Sequence, residues 1–94
     1  MHKIKLKIKR QAIADELVQR ATVIFGQLSN STLDLTDGIK YVWPDRWVNI
    51  RKSGTEPVVR IFSEANSSDI AKELALQTQK SLQQIVMQIE QENK

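Results

Sequence analysis

The 94-residue sequence contains no cysteine, one histidine, three glycines and two prolines. Without cysteine the chain can form neither a disulfide framework nor a thiolate metal site, and it has no thiol nucleophile. A single histidine, His2, excludes a metal site with two imidazole ligands, and its place beside the start excludes a Ser-His-Asp triad. No apolar run approaches the roughly 20 residues that span a bilayer, and no apolar block marks a secretion signal. We therefore expect a cytoplasmic protein without a membrane partner.

The composition is that of an ordinary soluble domain. Hydrophobic residues make up 40% of the chain and charged residues 27%, a balance typical of globular proteins. A chain of this length buries about 60–70% of the surface that its unfolded form exposes, so we expect a single domain over residues 1–94. The net charge of +3 favours an anionic ligand without requiring nucleic acid.

Residues 3–9 alternate strictly between lysine and aliphatic side chains. A period of two predicts a strand with Ile4, Leu6 and Ile8 on one face and the lysines on the other. The lysine face has two interpretations. It is either the solvated side of an edge strand, where lysines discourage pairing with other chains, or a phosphate-binding stripe.

Helical spacing occurs in two segments, residues 11–28 and 67–92. In each segment apolar residues recur every three or four positions, which predicts an amphipathic helix that packs along one stripe. Ser67 or Ser68 is placed to cap the second helix, with Asp69 in its first turn. The first stripe comprises Ile13, Leu17, Ala21, Ile24 or Phe25, and Leu28, and the second comprises Ile70, Leu74, Leu82, Ile85 and Ile89.

Residues 32–65 alternate apolar and polar side chains in several short runs. The pairs Asp37-Gly38 and Pro44-Asp45 are typical of tight turns, and short turns connect antiparallel strands. The order along the chain is then strand, helix, several strands and helix. This order predicts an α+β domain, in which an antiparallel sheet of about four strands carries two helices on one face.

The segment Arg51-Lys52-Ser53-Gly54-Thr55-Glu56-Pro57 interrupts the strand pattern and carries the chemistry. A guanidinium can grip a phosphate with two hydrogen bonds, the hydroxyls of Ser53 and Thr55 are donors, and Gly54 lets the backbone approach a ligand. Together these groups suit a small anion cradle. The same residue types also make an ordinary turn, and Glu56 would repel a phosphate unless it points away. The glycine spacing excludes a Walker P-loop.

The run from Arg51 to Arg60, Arg-Lys-Ser-Gly-Thr-Glu-Pro-Val-Val-Arg, resembles the C-terminal domain of the α-D-phosphohexomutases. These enzymes are the phosphoglucomutases, phosphomannomutases and phosphoglucosamine mutases. The flanking sequences agree with the resemblance, which is strong over residues 37–65. A departure is Asp45-Arg46-Trp47, where the family often has glycine before the tryptophan; it affects a turn more than the ligand site. The flanking segments are Asp37-Gly38-Ile39-Lys40, Trp47-Val48 and Glu64-Ala65.

The resemblance implies a TATA-binding-protein-like fold and a role in binding substrate. In the family this loop holds the phosphate of the hexose phosphate that is not being transferred. Carried over, Arg51, Ser53 and Thr55 would be the side-chain donors, Gly54 would give a backbone contact, and Arg60 matches an arginine of some members.

The resemblance also implies that no catalytic residue and no metal ligand lies in these 94 residues. The family's phosphoserine and its magnesium-binding aspartates lie in other domains. We therefore expect a fragment of a larger isomerase that is inactive by itself and needs no cofactor of its own. Its partners would be a hexose phosphate and the remaining mutase domains, and magnesium would belong to the complete enzyme.

Two alternative functions belong to other classes. A small nucleic-acid-binding module would use the lysine stripe, but base stacking needs an aromatic pair on that same face. A protein-interaction domain would use Tyr41, Trp43 and Trp47 as an anchor patch. The resemblance favours the phosphate-binding function over both, and nucleic acid is not the partner that we predict.

Overall fold

The computed structural model describes residues 1–25, 32–34 and 38–92. Within these ranges the sheet is antiparallel throughout, with the strand order β1-β5-β4-β3-β2. The predicted α+β class is confirmed, and the short β2 makes five strands where about four were predicted. The elements are β1 (His2–Lys7), α1 (Gln11–Phe25), β2 (Thr32–Asp34), β3 (Ile39–Trp43), β4 (Arg46–Lys52), β5 (Val58–Ala65) and α2 (Ser68–Glu92).

The core lies between the sheet and the two helices. Because side chains alternate between the faces of a sheet, residues in register form rows, and one row of isoleucines crosses four strands beneath the helices. Leu17 of α1 and Leu82 of α2 are fully buried against this side of the sheet. The row consists of Ile4, Ile61, Ile50 and Ile39. The opposite face of the sheet carries no helix within the described ranges, and we call it the open face.

The helix α1 buries the predicted stripe where its side chains are described. Ile13, Leu17 and Ala21 are all buried. The remaining predicted stripe positions, Ile24, Phe25 and Leu28, lie outside the described side chains. For the described side chains, the residues that the apolar spacing predicted to be buried in α1 are buried in the structure.

The helix α2 begins one residue after its cap. The hydroxyl of Ser67 accepts the backbone N–H of Ile70 at 3.2 Å, which selects Ser67 over Ser68 as the capping residue. The prediction that Ile70 belongs to the buried stripe is wrong, because Ile70 is 38% exposed. In this first turn Ala71 takes the inward position, and its carbonyl accepts a hydrogen bond from the Ser63 hydroxyl at 2.6 Å.

The strand β1 is an edge strand, as the lysine pattern predicted. Its aliphatic residues face the helices and its lysines lie on the open face. Lys3, Lys5 and Lys7 stand opposite Phe62, Arg60 and Val58 of β5. No helix within residues 1–25, 32–34 and 38–92 is long and apolar enough to cross a membrane.

Tyr41 gives the fold a measurable response to alkaline pH. It is the one tyrosine of the chain, it is buried under the helices, and its hydroxyl donates to the carbonyl of Ala21 at 3.4 Å. Burial raises the pKa of this phenol from its ordinary value of 10 to about 12. A raised folded-state pKa contributes stability that is complete below the unfolded-state pKa and is lost as pH rises through the folded-state pKa.

We therefore expect the free energy of unfolding to fall between pH 10 and about pH 12. Tyrosinate absorbance and circular dichroism, followed together against pH, should report phenol ionisation displaced above pH 10. The Tyr41→Phe variant should lack this part of the alkaline destabilisation. Ionisation of Tyr41 at its ordinary pKa in a chain that stays folded would contradict the burial of this side chain.

Candidate functional site

The loop between β4 and β5, residues 53–57, is shaped by a serine hydroxyl. Ser53 Oγ accepts the backbone N–H of Thr55 at 3.3 Å and that of Glu56 at 3.2 Å. The Ser53 N–H donates to the carbonyl of Val58 at 2.9 Å and so closes the base of the loop. Because a hydroxyl has one proton and two lone pairs, accepting two N–H groups leaves its proton to be donated.

Contacts from two other elements anchor the same loop. The Gln11 side-chain amide, at the start of α1, donates to the carbonyl of Ser53 at 3.1 Å. The N–H of Ile8, just after β1, donates to the carbonyl of Pro57 at 2.8 Å. The loop is therefore held at both ends, with Gly54 and Thr55 exposed at its tip.

The predicted site residues lie at one end of the sheet, but two of them belong to a strand. Arg51 and Lys52 are the last residues of β4 and precede the loop. Arg51 is on the open face, where it stands directly opposite Arg60 of β5. Ser53 directly follows β4 and begins the loop. The structure thus places Arg51, Arg60 and the loop at the same end of the sheet.

Lys52 lies on the other face of the sheet from Arg51. Its ammonium donates to a carboxylate oxygen of Asp15 in α1 at 2.7 Å. That hydrogen bond lowers the pKa of Asp15 below its ordinary value. Alternation along the strand explains the result, since neighbouring residues point to opposite faces. Lys52 therefore ties β4 to α1 and does not face the same side as the two arginines.

Gly38 is the residue that sequence reasoning missed. The sequence indicated a turn with Asp37, which lies outside the described residues, and a flanking segment of the family resemblance, but no contact with the site. Gly38 has a φ of 82°, and a Cβ at this position would lie 2.6 Å from the carbonyl oxygen of Ile50 and 2.9 Å from Cγ of Arg51. The missing side chain makes room for Arg51, a contact that no local pattern reveals. Gly54 has no heavy atom within 4 Å of a built Cβ.

The three aromatic residues proposed as an anchor patch do not form one surface. Tyr41 is 1% exposed and lies on the helix side with Trp43, whose ring centroid is 6.5 Å away. Trp47 is on the open face, with the Lys40 ammonium 4.6 Å from its ring centroid. Its cross-strand partner is Val42 and not Trp43. The anchor-patch hypothesis is therefore wrong, because strand alternation separates these side chains.

The fold and the site together define a two-layer α+β domain with cationic and hydroxyl donors gathered at one end of the open face. The chain matches the family described as phosphoglucomutase/phosphomannomutase, C-terminal domain, over residues 3–90. It belongs to that family.

Individual relatives of known description support the same family assignment. The chain is 41% identical over 70 residues to a phosphoglucomutase/phosphomannomutase of Thermococcus kodakarensis, a match that covers 73% of this chain and 15% of the relative. It is 31% identical over 78 residues to a phosphoglucosamine/phosphogalactosamine mutase of Sulfurisphaera tokodaii, covering 83% and 17%. It is 38% identical over 66 residues to a phosphoglucosamine mutase of Methanococcus aeolicus, covering 70% and 14%. The matches thus span about one sixth of these relatives' length.

Proposed function

We propose that this chain is the phosphate-binding module of a phosphosugar mutase, an isomerase that transfers a phosphate within a hexose phosphate. The module holds the phosphate that is not transferred. Its ligands are the side chains of Arg51, Ser53, Thr55 and Arg60 and the backbone at Gly54. The remaining mutase domains are its partners.

The pairing of Arg51 with Arg60 is the observation that carries this proposal. The two residues stand directly opposite each other on adjacent strands, where β-carbons lie about 4.5–5.5 Å apart. Like charges in this position destabilise a sheet, and a bound anion would offset that repulsion. Two guanidinium groups at this separation suit the several oxygens of one phosphate, since each presents a planar fork of donors.

The loop supplies neutral donors beside these two charges. The Ser53 hydroxyl retains a proton to donate, and the Thr55 hydroxyl lies 3.5 Å from it. Gly54 has open space where a side chain would stand, so a ligand can approach its backbone. Each charge-assisted hydrogen bond contributes about 1.5–3 kcal/mol net. Three or four of them support micromolar to millimolar affinity for a phosphate.

The transfer chemistry belongs to other parts of the complete enzyme under this proposal. Residues 1–25, 32–34 and 38–92 contain no group of three or more acidic or histidine side chains that could hold a metal ion. The described residues therefore do not suit the magnesium ion expected of a complete mutase. The module would contribute by orienting the substrate, which converts binding energy into correct alignment at the reacting phosphate.

An amide NMR titration of the 94-residue chain tests the proposal. We expect glucose 1-phosphate and glucosamine 6-phosphate to shift resonances of residues 51–60, with saturation in the millimolar range or below. Glucose without phosphate should leave these resonances in place, because it offers no charge to the arginines. If neither phosphosugar shifted them at about tens of millimolar, this chain would not be a phosphate-binding module.

The nucleic-acid alternative has one observation in its favour. Trp47 and Phe62 are half-buried on the open face and are diagonal neighbours on adjacent strands, so an aromatic pair does share the face of the lysines. Lys40, however, lies over the ring of Trp47, where a base would have to stack. Tryptophan fluorescence during titration with a single-stranded oligonucleotide separates the two functions. Salt-sensitive quenching without any phosphosugar response would favour the alternative.

A further inference from the structure

A third cation extends the arginine pair across the sheet. Lys5 of β1 stands directly opposite Arg60, and Arg60 stands directly opposite Arg51. The three residues therefore form one row over three adjacent strands of the open face. We call these three residues the cationic row. Gly38 lies beside Arg51 at one end of the cationic row and has no side chain, so the Arg51 side chain occupies the surface there.

Two members of the cationic row, Lys5 and Arg60, are not paired with acids within the described residues. Glu64, the acidic residue on the same face of β5, lies four residues beyond Arg60, or about 13 Å along the strand. Lys5 and Arg60 are like charges directly opposite each other, which opposes the pairing of β1 with β5, and an anion bound over the row would remove that cost.

The reach of the row matches one phosphate group. Adjacent strands lie about 4.8 Å apart, so Arg60 is central and the outer two residues flank it from either side. Both flanking side chains are long and exposed, and a lysine can bring its ammonium over the neighbouring strand on its flexible four-carbon stem. A ligand held by Arg51 and Arg60 is thus within the range of Lys5.

We propose that Lys5 is the third cation of the phosphate site, and that the cationic row makes the site select dianionic phosphate monoesters over monoanionic esters of the same shape. This inference rests on the proposed function. Its physical basis is that the attraction between a cation and the ligand doubles with the ligand's charge. Each added cation therefore increases the preference for the dianion. Ser53 and Thr55, being neutral, contribute to both kinds of ester alike.

The test compares methyl phosphate with methyl sulfate, which have similar shapes and different charges. Both are titrated by amide NMR at about 0.15 M salt, where charges are screened beyond about 8 Å, and above the second pKa of the phosphate ester, near 6. The proteins are the unaltered chain, Lys5→Gln, and the matched control Lys3→Gln. Lys3 is on the same strand and face but stands opposite Phe62, outside the cationic row.

We expect the unaltered chain to prefer methyl phosphate by about tenfold. Lys5→Gln should lose about fivefold in affinity for methyl phosphate and less than about twofold for methyl sulfate. The ratio of the two affinities should therefore be smaller in Lys5→Gln than in the unaltered chain. Lys3→Gln should stay within about twofold of the unaltered chain for both esters, because it lies one row away and its charge is screened by solvent. Without ligand, Lys5→Gln should be no less stable than the unaltered chain, since a repulsive charge is gone.

Three other outcomes would overturn the inference about Lys5. If Lys5→Gln bound both esters as the unaltered chain does, the inference would be overturned while the phosphate module stands. Equal losses in Lys5→Gln and Lys3→Gln would show only a diffuse effect of net charge and would also overturn it. If the unaltered chain bound neither ester at residues 51–60, the proposed function would fail and the inference with it.

Discussion

Arg51→Ala should weaken the binding of a phosphosugar to this chain by about 10–100-fold. The substitution removes a guanidinium fork whose charge-assisted hydrogen bonds each contribute about 1.5–3 kcal/mol net. The chain should still fold, because the side chain is exposed at the end of β4 and its loss relieves the repulsion from Arg60. The expected result is a folded chain with a defective site.

The measurement is the same NMR titration, with denaturant unfolding as the measure of stability. Arg51→Lys should recover only part of the affinity, since an ammonium keeps the charge but not the planar fork. Arg46→Ala is the matched control, because Arg46 is at the other end of the same strand and pairs with Asp45 at 3.1 Å. In a complete mutase that carries this domain, the Arg51→Ala loss should appear in kcat/KM. An Arg51→Ala chain with undiminished affinity would refute the assignment of Arg51.

Gly38→Ala should reduce both stability and phosphate affinity. A φ of 82° is a conformation that side chains other than glycine's adopt at a cost of about 1–3 kcal/mol. The added methyl would also lie 2.6 Å from the carbonyl oxygen of Ile50 and 2.9 Å from Cγ of Arg51. The first contact is with backbone that cannot move easily, so the strand must shift, and the second displaces Arg51, the proposed phosphate ligand.

We expect Gly38→Ala to lower the free energy of unfolding by at least about 1–3 kcal/mol and to weaken phosphosugar binding in the fraction that remains folded. Gly54→Ala is the matched control for stability. A Cβ there meets no atom within 4 Å, so unfolding should change by no more than about 0.5 kcal/mol. Equal stability of the two variants, measured by denaturant unfolding, would show that the close contact at Gly38 is not a constraint on the fold.

Much of the fold follows from spacing along the chain. Alternation over residues 3–9 predicted the edge strand, because a half-buried strand exposes every second side chain. A spacing of three to four residues predicted both helices, because an amphipathic helix buries a residue once per turn. The error at Ile70 has a physical reason. Ile70 and Ala71 are adjacent apolar residues about 100° apart around the helix, and it is Ala71 that is buried over Ser63 of β5.

The site was predictable in part. The guanidinium, hydroxyl and glycine chemistry of Arg51, Ser53 and Gly54 is local, so the sequence could nominate these residues as a candidate site. Their neighbours could not be found in the same way. The contact of Gly38 with Arg51 spans two strands, and the opposition of Lys5 to Arg60 joins residues that are 55 positions apart in the sequence.

The sequence by itself determined the classes of element and the types of group available to bind an anion. These depend on side-chain chemistry and on periods of two and 3.6 residues, which are properties of short segments. Only the tertiary structure decided which side chains share a face. Strand register placed Lys5, Arg60 and Arg51 in one row and turned Lys52 toward Asp15. Register is set by the packing of the whole apolar face against the helices, so no segment specifies it alone.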